Sequence, residues 1–272
     1  MMNILDILRN SLDYPLRKLF KWSRRGLKIK NEEKFGLYFQ YPETTRQVVE
    51  KEADRLFSVY HLQKLFNASS RNNYCENLFY LEMLEKSFNL SGVKLNDRIV
   101  VADIGTSSWF YIQAYYSFFK WWDTEIARNI AITGFETDSY RIYHDLYSRY
   151  DHILAYKKDI EDVVLIPSGF TRSADHYDVI TMLFPFVFIK DHREWGLPDK
   201  IFDAEKLLVE AWESLRPGGV LMVANQGEDE HKRQKEMFKK CGIKRAVEFR
   251  HESETFKYQI PRFVLTAIRD GS

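Results

Sequence analysis

Three acidic residues stand where an apolar run gives way to a turn. They are Asp103 in "RIVVADIGTSS", Glu136 in "NIAITGFETD" and Asp159 in "YKKDIED". Asp103 is followed by Gly105 and then by Thr106, Ser107 and Ser108. A strand-to-helix turn of this kind offers backbone N–H groups to an anion, reinforced by the helix N-terminus. Gly105 allows a sharp turn and a close approach, and a serine hydroxyl can cap the helix or bind a carboxylate. An acid ending a second strand can accept both hydroxyls of a ribose. The set suits a nucleotide-like cofactor. Plainer readings stand beside it: Glu136 as a solvated strand-end acid, Asp159 as a turn residue, and Asp138 as the cap of the next helix. Asp103 lies inside an apolar strand end, where an unpaired acid is costly, which favours a role.

Proton-handling groups lie further on, in "LFPFVFIKDHREWGLPD". His192, with Asp191 and Glu194 near it, is a candidate general base or a solvated loop histidine. Phe184, Phe186, Phe188 and Trp195 could wall an acceptor pocket or pack into the core.

Positioning these groups requires an alternation of strands and helices. Strands are expected at "RIVVADIG", "NIAITGFE", "HILAYKKDI", "YDVITMLFPF", "GGVLMVANQG", "RAVEFRHES" and "QIPRFVLTAIR". Helices are expected near 109–121, 140–150, 204–215 and 230–241. This pattern predicts an α/β fold: a doubly wound, seven-stranded, mostly parallel sheet. No helix separates the last two strands, so they should form a C-terminal antiparallel hairpin. Before the sheet, Val49, Ala53, Leu56, Tyr60 and Leu62 form one helical stripe and Tyr74, Leu78, Leu81, Leu84 and Phe88 another, with "NASSRNN" as the turn between them. The expected division is an N-terminal basic segment and helical cap over 1–95 and a Rossmann-like domain over 96–272.

In this order the elements resemble the class I S-adenosylmethionine-dependent methyltransferases, over about 98–269. "VADIGT" resembles that family's first motif, "GFETD" the second, "KKDIED" the third and "YDVITMLF" the strand-four motif; "LRPGGVLMV" resembles the turn into strand five. The resemblance implies S-adenosyl-L-methionine as cofactor. Its methionine end would sit at Asp103, Gly105, Thr106, Ser107 and Ser108, its ribose at Glu136 and its adenine at Asp159, with Thr137, Ile160 and Leu183 also among the cofactor-binding residues. It also implies transfer of a methyl group to oxygen or nitrogen of a small-molecule or lipid-like acceptor, with the helical cap over the open side and Tyr60 and Arg71 as wall residues. The turn keeps one glycine where the family has two or three, and Trp109 and Phe110 add bulk. A module that kept the scaffold without catalysis is therefore the competing reading.

Composition narrows the partners. Net charge is +1 over 272 residues, which supplies no field for nucleic acid, and no Asn-Pro-Pro-aromatic signature of nucleic-acid amino methylation is present. Two distant cysteines, Cys75 and Cys241, predict neither a disulfide framework nor a cysteine metal site; no metal is expected. With no secretory leader and no transmembrane run expected, the location read from the sequence is cytoplasmic. Charge is uneven: residues 1–30 carry eight Lys or Arg against two Asp, or +6, leaving −5 elsewhere. Ile4, Leu5, Ile7, Leu8, Leu12, Leu16, Leu19, Phe20 and Trp22 recur there at helical spacing, with Pro15 expected to break the run. Such a segment can lie on an anionic membrane or fold back as a flap with a solvated basic face.

Overall fold

The computed structural model describes residues 4–270. Four helices precede the sheet: α1 (Ile4–Phe20), α2 (Glu43–Val59), α3 (Gln63–Ala68) and α4 (Arg71–Ser91). The sheet follows as β1 (Arg98–Ile104), β2 (Asn129–Phe135), β3 (Val163–Ile166), β4 (Tyr177–Leu183), β5 (Leu215–Gln226), β6 (Val247–His251) and β7 (Arg262–Ile268). Its helices are α5 (Ile112–Trp121), α6 (Arg149–Tyr156), α7 (Ile189–Glu194), α8 (Ala204–Ser214) and α9 (Gly227–Lys240).

The strand order is β3-β2-β1-β4-β5-β7-β6. Strands β1 to β5 are parallel, and β7 runs antiparallel between β5 and β6. This is the sheet expected from the sequence. Val101, Ile132, Val179 and Val220 face one apolar cluster, shared with Leu56, Leu78, Leu84 and Phe118 of α2, α4 and α5. Ala102, Ile180, Leu221 and Leu265 face a second, closed by Leu208 of α8 and Met237 and Phe238 of α9. The helices before β1 thus bury their stripes in the same core as the sheet.

The third strand corrects the sequence reading. "HILAY" is the body of α6, and β3 is the four-residue "VVLI" that follows. Ser148 starts the helix with a capping box: its hydroxyl accepts from Asp151 N–H while the Asp151 carboxylate accepts from Ser148 N–H. The helix expected over 140–150 is instead a turn-rich loop closed by a bridge between Ile142 and Ser148. Pro15 does not break α1, which runs unbroken through it.

Candidate functional site

The carboxyl end of β1 is built around Asp103, which is fully buried. One carboxylate oxygen accepts from Trp109 Nε1 at 2.8 Å and from Tyr111 OH at 2.7 Å. The other accepts from Thr181 Oγ1 of β4 at 2.7 Å. Burial pushes the Asp103 carboxyl up to about 6, against the downward pull of these three donors. Asp103 is thus engaged within the protein rather than presented to a ligand.

The turn after it is left-handed at Gly105 (φ 81°), Ser107 (φ 51°) and Trp109 (φ 51°). Two of these are positions where glycine would remove the strain. Trp109 is completely buried, and its ring covers Gly134 of β2, where an added Cβ would lie 2.5 Å from the indole. The close approach in this site is therefore at Gly134. An added Cβ on Gly105 meets open space, so only that residue's backbone conformation calls for glycine.

Glu136, at the end of β2, is 4% exposed and already held. Its Oε2 accepts from Ser107 N–H at 2.8 Å, and its Oε1 accepts from Asp138 N–H and Arg149 Nη1, each at 2.8 Å. Two buried polar atoms beside it have no partner: Thr106 Oγ1 in the turn and Arg149 Nη2 on α6. Thr137 Oγ1 lies 3.0 Å from Tyr14 OH. Asp138 does not cap a helix through its side chain; it takes a two-pronged contact from Arg17 Nε and Nη2 at 2.9 and 3.0 Å. Asn10 donates to the Arg193 carbonyl at 2.8 Å, and the Arg149 guanidinium lies 5.2 Å from the Trp195 ring centre. Helix α1 therefore spans from the end of β2 to the loop after β4.

The remaining expected residues are dispersed. Leu183 ends β4 inside the core. Asp159 and Ile160 sit in the turn that enters β3, at the amino end of that strand and away from the carboxyl ends of β1 and β2. The third-strand correction explains this, because the acid precedes the true strand. His192 is buried, its Nε2 3.1 Å from the Pro198 carbonyl and its ring packed by Phe186 and Phe202. Burial lowers its pKa. Tyr60 is a core residue bonded to Glu85, and Arg71 braces the carbonyls of Glu33, Phe35 and Gly36.

Beyond β4 and β5 lies a group that the sequence did not reveal. The Arg262 guanidinium, on a residue 8% exposed, lies 4.8 Å from the Phe184 ring centre and 4.4 Å from that of Tyr258. It donates to the Ile260 carbonyl, while its buried Nε has no partner. Tyr80 stacks on Tyr111 nearby, and Tyr258 OH donates to Glu76. Ligands in open α/β sheets bind outside the carboxyl ends of the strands. Both clusters, around Glu136 and around Arg262, are on that side.

The parallel sheet closed by a reversed β7 is the arrangement that the resemblance to the class I methyltransferases implied. Solved structures similar to this chain include a precorrin-6y C5,15-methyltransferase of Geobacter metallireducens (17% identity, TM-score 0.43, covering 70% of this chain and 87% of that one). A SAM-dependent methyltransferase of Aquifex aeolicus matches at 15% identity and TM-score 0.47, over 71% and 90%. The cyclase SpnF matches at 11% and 0.49, over 72% and 82%. No protein-family model and no curated protein matches the chain. Among the described residues, no three or more His, Cys, Asp or Glu are grouped to hold a metal ion.

The groups at the end of β2 are of the types that a ribose and a carboxylate would need. Ser107 N–H already holds a carboxylate, that of Glu136; Arg149, which donates to the same group, has an unpartnered Nη2, and the buried hydroxyl of Thr106, one residue before Ser107, has no partner either. The fit does not extend to Asp103, Asp159 or Ile160.

Proposed function

We propose that this chain is an S-adenosylmethionine-dependent methyltransferase acting on oxygen or nitrogen of a small-molecule or lipid-like acceptor, in the cytoplasm and in part at a membrane surface. The observation that carries the reading is the Glu136 carboxylate held between Ser107 N–H and Arg149, with Thr106 Oγ1 left unpartnered beside it. S-adenosylmethionine supplies an electrophilic methyl on a sulfonium. Glu136 would take the ribose hydroxyls, with Thr137 beside it. Ser107 N–H, thereby released, would take the carboxylate of the methionine end, with Thr106 and Ser108 alongside, while Arg149 stays as counter-charge. Leu183, Tyr111 and Tyr80 would shield the reacting end from water. Methyl transfer needs alignment above all; the proton that an oxygen or nitrogen acceptor gives up would pass to water, since His192 is buried against the Pro198 carbonyl. Arg262, a buried cation with no carboxylate in ion-pair contact among the described residues and Glu230 as the acid that acts on it from further off, suits an acceptor carrying an acidic group.

A second reading is a non-catalytic module on the same scaffold. Trp109, pinned by Asp103 over Gly134, favours it, because the indole fills space beside the turn. A crystal structure with S-adenosylhomocysteine decides between them. The first reading expects the ribose on Glu136 and the methionine carboxylate on Ser107 N–H. A ligand bound elsewhere, with Glu136 still on Ser107, overturns it.

A further inference from the structure

Helix α1 is amphipathic in the reverse of the usual sense. Its polar residues dock on the protein: Asn10 and Tyr14 are 9% and 6% exposed, and Arg17 is clamped to Asp138. Its apolar residues face outward. Leu8, Leu12, Leu16 and Leu19 are 56%, 67%, 47% and 74% exposed, and Phe20 is 75% exposed. At about 100° per residue the four leucines share an arc of about 80°, opposite the docked Asn10, Tyr14 and Arg17. A helix packed as a flap turns its leucines inward; this one holds on by hydrogen bonds and an ion pair and leaves a continuous apolar ridge in water.

Charge identifies what covers the ridge. Arg9, Lys18, Lys21, Arg24, Arg25 and Lys28 are exposed on or just beyond the helix, within a segment of net charge +6. A second copy of the ridge would bring two such segments together and repel. An anionic bilayer complements both features at once: leucines enter the acyl boundary while the basic side chains meet lipid headgroups. No described helix is long and apolar enough to cross a membrane, so the contact would lie in the membrane plane.

We infer that α1 is an interfacial helix that seats the protein on an anionic bilayer through Leu8, Leu12, Leu16, Leu19 and Phe20, while Asn10, Tyr14 and Arg17 tie it to the sheet. The end of β2 and the loop after β4, which α1 spans, then lie on the side that faces the lipid. The inference stands on α1 alone and does not depend on methyl transfer.

The test is co-sedimentation of the full chain with phosphatidylcholine vesicles, with and without phosphatidylserine. The expected result is binding at least about tenfold tighter to the phosphatidylserine vesicles and release at high salt. Replacing Leu8, Leu12, Leu16 and Leu19 by Gln keeps helix propensity and should abolish binding with an unchanged circular dichroism spectrum. Lys21→Glu, Arg25→Glu and Lys28→Glu together should reduce it at least about tenfold. Failure of the wild type to bind, or binding unaffected by the leucine substitutions, overturns the inference. So does a lipid-free dimer by light scattering that the leucine substitutions dissolve, since the ridge would then belong to a second copy.

Discussion

Replacing Asp103 by Asn should change the stability of the protein in a pH-dependent way, to the variant's disadvantage in acid and no longer so at neutral pH. The Asp103 carboxyl sits at about 6 in the folded chain against an ordinary 3.8. The folded state therefore keeps a proton that the unfolded chain has released, and stability falls as pH rises through that window and is flat above it. A shift of two units corresponds to about 3 kcal/mol. Asn carries no charge, so this penalty disappears at neutral pH. Its nitrogen cannot accept, however, so one of Trp109, Tyr111 and Thr181 loses its acceptor, at about 1–3 kcal/mol. The variant should be about 1–3 kcal/mol less stable than wild type near pH 4.5. At about pH 7.5 it should be equal or more stable, because the removed penalty matches or exceeds the lost bond. Urea unfolding followed by tryptophan fluorescence at both pH values measures this. A wild-type-to-variant difference that does not change with pH would refute the assignment of a buried, desolvated Asp103.

Glu82 of α4, whose carboxyl burial lifts to about 7 from 4.5, contributes a fall in the same direction, so Glu82→Gln should raise stability at pH 8 by up to about 3 kcal/mol in the same urea assay. Glu136→Gln should cost about 3–5 kcal/mol, because among the described residues the Glu136 carboxylate is the one within ion-pair distance of Arg149. Arg149→Met should cost less, since Glu136 keeps Ser107 N–H and Asp138 N–H, and adding it to Glu136→Gln should recover stability; urea unfolding of the three variants checks the order. Gly134→Ala drives a Cβ into the Trp109 ring and should destabilise by about 1–3 kcal/mol in thermal unfolding, whereas Gly105→Ala meets open space and costs only the strain of an alanine in a left-handed backbone, about 1–2 kcal/mol.

The sheet was legible because its strands are apolar runs with clear turn signals, and the lack of a helix before the last strand announced the reversed β7. The third strand was not. "HILAY" reads equally as strand or helix by composition, and what decides is the Ser148–Asp151 capping box, visible in the sequence as "SRYD". Asp159 went with that error. Glu136 was singled out from its position, but its engagement was not legible, because Ser107 and Arg149 are brought to it by the left-handed turn and by α6. Trp109 read as bulk at a rim and is a buried plug; nothing in the sequence ties its indole N–H to Asp103. Arg262 opens a strand like many other arginines, and only the approach of Phe184 and Tyr258 makes it a buried cation. In α1 the leucine spacing was plain, but which face docks depends on Asp138 and on the carbonyl of Arg193, both far away in sequence.

Isothermal titration calorimetry of the full chain with S-adenosylhomocysteine tests the central claim most directly. One saturable site is expected, weakened strongly when Thr106 is replaced by Val, a near-isosteric change that removes the unpartnered hydroxyl and leaves Glu136 and Arg149 paired. Absence of binding by the wild type, with the fold intact by circular dichroism, would contradict it and leave the non-catalytic scaffold as the reading of this chain.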